Sequence, residues 1–448
     1  MDAPSGTHRR PEVPTRQIRP VPGPLDTSLR LPGSKSLTNR ALVCAALAEG
    51  RSLLDHVLFA DDTEAMVECL GRLAIAIEAD ADSERLIVDG CAGTLPGRAA
   101  GATLDARLSG TTARFLLPVL ARAPDATRLD GSPPLRARPM ADGVAALRAL
   151  GVEVVEEGTP GHLPLRVRGT ALGSLDESDG KPPQLKVSGE TSSQFISGLL
   201  LAAPAWPGGL RLSVVDGLVS SPYVDMTAAV MRAFGASLGQ DDGTWLVTPG
   251  PYRATRYQVE PDASAASYMF AAAAICGGRV RVEGLGRSSL QGDAGFVEVL
   301  ERMGCRVVRA EAHTTVERRG ELRGIDADMR HLSDTAQSLT AVAVFASSPT
   351  RLRGIGFIRQ KETDRVGNVV RELRRCGIQA DEHPDGFTVH PGRPRPAVVE
   401  TYGDHRMAMS FALLGLQAPG IEIKDPDCVV KTFPAYWATL DQLGRGHR

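Results

Sequence analysis

Lysine is scarce in this chain. Among its 51 basic residues, only Lys35, Lys181, Lys186, Lys361, Lys424 and Lys431 are lysines. Each survivor is informative, because a compact titratable ammonium and a planar guanidinium are not interchangeable. Cysteine is sparse too. Cys44, Cys69, Cys91, Cys276, Cys305, Cys376 and Cys428 make no C-x-x-C pair, and the few histidines show no spacing such as H-E-x-x-H. That excludes a zinc frame and a disulfide scaffold and points to a reducing cytosol. No apolar run approaches the ~20 uncharged residues of a membrane span. Residues 1–17 lack the apolar segment of a secretory signal and read as a disordered polar tail. Net charge is −2, so no overall field favours nucleic acid or an anionic membrane. Neither a Walker A loop nor G-x-G-x-x-G occurs, so a nucleotide is not indicated.

What is present is a repeat. VAALRALG, AVMRAFG, VEVLERMG, RELRRCG and LDQLG end at Gly151, Gly235, Gly304, Gly377 and Gly444, with a weaker cousin around Gly71. In each, apolar residues recur at i, i+3 and i+4, and a glycine is expected to stop the helix before a β-rich segment. The spacing of roughly 65–85 residues is too long for ankyrin or tetratricopeptide arrays and predicts about six α/β units. Each unit carries a second helix that is apolar nearly all round: RALVCAALA, ARFLLPVLARA, SSQFISGLLLAAP, ASYMFAAAAICGG, AQSLTAVAVFA and HRMAMSFALLGL. Such helices are buried on several sides.

The starts of these buried helices are polar or basic. Lys35, Ser36 and Arg40 open the first, SGTTAR with Arg114 the second, ETSSQF the third, and SDTAQ and GDHRMAM the last two. A helix start presents free N–H groups and partial positive charge, so each is an anion site. One alone reads as a cap; several with added cations read as a shared site. LRARPM adds Arg138, QKETDR adds Lys361 and Arg365, GDHRMAM adds Arg406, and DPDCVVKTFP adds Lys431. This surplus suits ligands with several phosphate or carboxylate groups. The acids among them, Asp334, Glu362 and Asp404, suit proton transfer.

LPGSKSLTNRALVCAALAEG, SGTTAR, LRARPM, SSQF, VSSPY, QKETDR, GDHRMAM and DPDCVVKTFP occur in that order from Leu31 to Phe433. The ordered set closely resembles the 5-enolpyruvylshikimate-3-phosphate synthase family of enolpyruvyl transferases. The resemblance implies a two-domain inside-out α/β barrel, each domain three repeats with buried helices and outer sheets. It places the upper domain at 34–252 and the lower at 18–33 and 253–448, with the site in the cleft. It implies transfer of the enolpyruvyl group of phosphoenolpyruvate to the 5-hydroxyl of shikimate 3-phosphate, with release of phosphate and no metal or organic cofactor. The implied unit is a cytoplasmic monomer.

Carried over position by position, the resemblance assigns Lys35, Ser36, Arg40, Ser192, Ser193, Gln194, Ser220, Asp334 and Lys361 to shikimate 3-phosphate, with Tyr223 nearby. It assigns Lys35, Gly110, Arg138, Gln194, Arg365, Arg406 and Lys431 to phosphoenolpyruvate. Asp334 is the expected base, Glu362 the expected proton donor, and Lys35 an assistant in proton transfer. Two positions depart from the family pattern. Leu108 and Ser109 stand where many relatives have Asn-Ala, and Phe357 where many have asparagine; each puts a substrate contact in doubt. Gly110 is kept, which leaves space beside the donor phosphate and implies sensitivity to glyphosate. Two rivals remain. A UDP-N-acetylglucosamine enolpyruvyl transferase would carry a reactive cysteine in GSPPLRARP, where there is none. A non-catalytic phosphometabolite-binding protein would not need both Asp334 and Glu362.

Overall fold

Six helices form the interior: Lys35–Ala46, Gly110–Val119, Ser193–Ala202, Ala263–Cys276, Ala336–Ala343 and His405–Gly415. They are the six all-round apolar segments of the sequence. The first buries every residue from Leu37 to Ala46, and the fourth all but Ser264 and Cys276. Their small side chains let backbones approach. A Cβ at Gly198 would collide with the carbonyl of Arg114, so the second and third helices lie in contact and their starts sit side by side. The computed structural model describes residues 13–96, 102–169, 182–190 and 192–444.

Amphipathic helices cover the outside: Asp61–Arg72, Ala141–Ala149, Pro222–Ala233, Phe296–Arg302, Gly367–Arg375 and Tyr436–Leu443. Gly151, Gly235, Gly304 and Gly377 take positive φ just beyond their helices, as a left-handed helix stop requires. The expectation fails at Gly71, which lies inside Asp61–Arg72. There the left-handed position is Ala74, at φ 64°. The stop survives because the Ile75 N–H donates to the Leu70 carbonyl at 3.1 Å and both side chains are buried. It fails also at Gly444, which stays right-handed at φ −79°.

Five units carry a four-stranded sheet, and the last a three-stranded one. The four-stranded pattern repeats: a parallel pair, then an antiparallel hairpin. In one, Gln184–Gly189 runs parallel to Leu210–Leu218, which pairs antiparallel with Thr244–Val247. Two core clusters result, one built from residues between Leu37 and Val259, the other from Ile18 to Leu31 and from Ala263 onward.

The halves exchange a strand. Leu25–Arg30 lies before the upper half yet pairs in parallel with Gly278–Glu283 of the lower. Arg256–Gln258 pairs in parallel with Leu53–Asp55 of the upper. The upper half therefore extends through Val259, not to residue 252, because this strand completes its first sheet. The two crossings lie together: Ser34 N–H donates to the Glu260 carbonyl at 2.8 Å and Asp262 N–H to the Pro32 carbonyl at 2.9 Å. Asp262 ties both helix starts. Its Oδ1 accepts from Ala265 N–H at 2.8 Å, and its Oδ2 from Lys35 N–H at 3.0 Å. The expected tail also needs correction at its end. Residues 1–12 lie outside the described set, but Thr15–Gln17 forms a strand against Glu422–Lys424. Its backbone thereby gains the edge pairing that polar composition does not reveal.

Candidate active site

The inner helix starts of both halves face one cleft. Lys35, Gly110, Arg138 and Gln194 line it from the upper half, and Asp334, Lys361, Glu362, Arg365 and Arg406 from the lower. With Asp62, five cations and three carboxylates border this part, so it is positive and suited to anions. A neighbouring part is lined by Ser36, Tyr223, Ser264 and Asp293.

On the upper side, Ser109 caps the second helix: its Oγ accepts from Thr112 N–H at 3.2 Å and from the Thr112 hydroxyl at 2.8 Å. The departure there thus keeps the helix start closed. Gly110 follows, and the Arg138 guanidinium rests on it: a Cβ at Gly110 would lie 2.7 Å from Arg138 Nη1. The space expected beside Gly110 is therefore filled by the cation itself. Arg114 does not reach the cleft. It donates to Gln194 Oε1 at 2.8 Å and to the Pro139 carbonyl at 2.9 Å, fixing the Gln194 amide, whose nitrogen donates to Thr111 Oγ1 at 3.2 Å. Burial, then Arg138 nearby, pushes the Arg114 guanidinium down to about 9.

Arg40 is the most deeply embedded of the expected cations on the upper side. It is only 2% exposed. Its donors go to Thr227 Oγ1 at 2.7 Å, the Ser36 carbonyl at 2.9 Å, the Tyr223 carbonyl at 3.0 Å and Ser197 Oγ at 3.3 Å, and it stacks 5.0 Å from the Phe115 ring. In this form Arg40 binds the upper half together. Ser192 and Ser193 are buried at the third helix start, and Ser192 Oγ accepts from Gln194 N–H at 3.3 Å. Ser220, in a left-handed conformation at φ 55°, meets Ser333 of the lower half at 3.4 Å.

The lower side is an interlocked set of charges. Arg365 donates to Asp404 Oδ2 at 2.7 Å and Oδ1 at 3.1 Å and pairs with Glu362 Oε2 at 2.7 Å. Asp404 also caps its helix, accepting from Arg406 N–H at 2.9 Å. Lys431 Nζ holds Glu362 Oε1 at 2.8 Å, and Arg138 reaches that oxygen from across the cleft at 3.8 Å. Burial alone would push Glu362 up, but Arg365, Lys431 and Arg138 hold it well below the usual carboxylate range. Asp334 behaves likewise. Burial opposes, yet Arg406, Lys361 and Arg365 keep it ionised. Arg406 donates to Asp334 Oδ2 at 2.7 Å and to its carbonyl at 2.6 Å. Lys361 is pushed down to about 8 by burial, partly opposed by Asp334. Its ammonium lies 6.0 Å from the Phe357 ring, a cation–π contact that an asparagine there would not make.

Four cleft residues escaped the sequence reading. Asp62 pairs with Lys35 Nζ at 3.3 Å. Thr111 lines the cleft beside Gly110. His405 is buried without a hydrogen-bond partner among the described residues, and burial, then Lys431, pushes it well below its ordinary value, so it is neutral. Asp293 meets the Tyr223 hydroxyl of the upper half at 3.2 Å. ADDTE and QGDAG mark the two acids, but in sequence such acids look like ordinary outer-helix starts.

An EPSP synthase (3-phosphoshikimate 1-carboxyvinyltransferase) family model matches residues 20–440. The chain is 44% identical to the 3-phosphoshikimate 1-carboxyvinyltransferase of Nostoc punctiforme, covering 96% of this chain and 99% of that one. It is 39% identical to the chloroplastic enzyme of Arabidopsis thaliana, covering 99% and 86%. The EPSP synthase structure from Acinetobacter baumannii superposes with a TM-score of 0.80 at 24% identity, covering 96% and 98%, so the architecture is the same inside-out α/β fold. Family model and full-length identity agree with the ordered helix starts described above: the chain belongs to the EPSP synthase (3-phosphoshikimate 1-carboxyvinyltransferase) family.

Proposed function

We propose that this chain transfers the enolpyruvyl group of phosphoenolpyruvate to the 5-hydroxyl of shikimate 3-phosphate, releasing phosphate, on the route to aromatic amino acids. The observation that carries the reading is the meeting of Lys35 and Arg138 from one half with Arg406, Arg365 and the Lys431–Glu362 pair from the other. Two metabolites that each carry a phosphate and a carboxylate need such a surplus of cations to lie side by side.

The charges suggest how each step runs. Asp334, ionised and held by Arg406, takes the proton of the 5-hydroxyl as the oxygen attacks the central carbon of the enol. Glu362 supplies the proton gained by the methylene. In the empty cleft Glu362 is too acidic to hold that proton, because its cations are unopposed. Incoming phosphate and carboxylate groups share Arg365, Arg138 and Lys431, which raises Glu362 toward a donating value. The tetrahedral adduct then breaks down: Glu362 takes the methyl proton back, and phosphate leaves toward Lys35, Arg138 and Gln194 with the proton that Asp334 had taken. Lys35, next to Asp62, is placed to assist. One chain carries every group in this scheme, so a monomer is the working unit in this reading.

The test is product identity. Incubation with both substrates should give one enolpyruvyl ether and one inorganic phosphate per turnover, seen by mass spectrometry and phosphorus NMR. UDP-N-acetylglucosamine in place of shikimate 3-phosphate should give neither. Binding without product from the intact enzyme would favour the non-catalytic reading.

A further inference from the structure

Asp293 lies on the turn ahead of the outer helix Phe296–Arg302 and has no part in the transfer scheme. Its side chain is 4% exposed. Oδ2 accepts from the Ser264 hydroxyl, and Oδ1 has no hydrogen-bond partner among the described residues. From the opposite half, the Tyr223 hydroxyl comes to 3.2 Å from Asp293 Oδ2 and 3.2 Å from Asp334 Oδ2. One phenol thus bridges two carboxyls across the cleft.

A phenol has a single proton. Shared between two ionised carboxyls it satisfies neither fully, and the arrangement is best met when one carboxyl donates back to the phenol oxygen. Asp334 is fixed as the acceptor, because Arg406 Nη2 donates to its Oδ2 at 2.7 Å. The extra hydrogen therefore belongs to Asp293. We propose that protonated Asp293, acting through the Tyr223 hydroxyl, is a latch that holds the two halves closed and positions the Asp334 carboxylate, and that it lets go when it ionises. The positioning of Asp334 bears on catalysis only through the function proposed above; the latch itself concerns closure.

The surroundings agree. Facing Asp293 are Tyr223 from the outer helix Pro222–Ala233, Asp334 from the turn before Ala336, Asp262 and Ser264 from the start of Ala263–Cys276, and Arg406 from His405–Gly415. Arg406 is the one cation of this group and is already engaged by Asp334. Burial, then the Asp334 charge, pushes Asp293 up to about 7. In an open cleft it returns toward an ordinary carboxyl. Closure therefore takes up a proton. Its advantage is complete below the ordinary carboxylate range and is lost as pH rises through about 7.

Small-angle scattering on the full chain without ligand, from pH 5 to pH 8, tests this. The closed-to-open ratio should fall about tenfold per pH unit up to pH 7 and then level off, seen as expansion. Asp293→Asn keeps a donor and an acceptor at every pH and should stay compact throughout. Tyr223→Phe removes the bridge and should be more expanded than wild type at pH 5; it carries the test if the first variant fails to fold. A wild-type profile flat with pH, a step retained in Asp293→Asn, or a Tyr223→Phe protein as compact as wild type at pH 5 overturns the latch. Scattering does not depend on turnover, so absence of phosphate release would defeat the proposed function and leave this result standing.

Discussion

Lys431 Nζ lies 2.8 Å from Glu362 Oε1 while Arg365 Nη2 holds the other oxygen at 2.7 Å. The expected proton donor is thus clamped as an anion until substrate arrives. Glu362→Gln removes that negative charge and frees two cations. Phosphate, or phosphoenolpyruvate, should bind about tenfold more tightly by calorimetry. Turnover should fall by roughly 10²–10⁴-fold. Weaker binding together with intact turnover would show that Glu362 only holds the cations in place.

Gly110→Ala puts a methyl group against the Arg138 guanidinium, 2.7 Å from Nη1. Arg138 must move, and the displacement should cost roughly 1–3 kcal/mol. The KM for phosphoenolpyruvate should rise and inhibition by glyphosate should weaken, while shikimate 3-phosphate binding is unaffected. Unchanged inhibition would rule out the steric account.

Lys361 loses its charge above about pH 8 in the empty cleft. Anion binding favours the ammonium, so binding above that pH must take up a proton. Affinity for phosphate should drop as pH rises from 8 to 9.5, by at most about tenfold per unit. Lys361→Gln should bind more weakly at pH 7 and lose this dependence. A wild-type affinity constant across the range would contradict the assignment.

Ala74 occupies a left-handed helix stop that its five counterparts fill with glycine or avoid. A Cβ there costs about 1 kcal/mol. Ala74→Gly should stabilise the upper half by a comparable amount in denaturant unfolding and leave turnover unchanged. Destabilisation would mean that the buried Ile75–Leu70 contact needs the stiffer residue.

These cases show what the sequence could reveal. The inner helices were legible because a helix buried on every side has to be apolar on every side, and their basic starts were legible because a buried Lys or Arg is costly without a ligand or partner. What the sequence could not reveal at Arg40 was its partners, Thr227, Ser197 and Tyr223, all more than 150 positions away. Asp62 and Asp293 stayed hidden, since an acid beside an outer helix reads as a solvated cap until the fold puts Lys35 or Tyr223 against it. The second domain boundary was missed because Arg256–Gln258 belongs, by pairing, to a sheet far earlier in the chain.

The most direct test of the whole account is to mix the protein with shikimate 3-phosphate and phosphoenolpyruvate and follow phosphate in real time, alongside Asp334→Ala and Glu362→Ala. The account predicts release only when both substrates are present, and slowing in both variants with substrate binding retained. Release from phosphoenolpyruvate alone, or full rates in both variants, would contradict it.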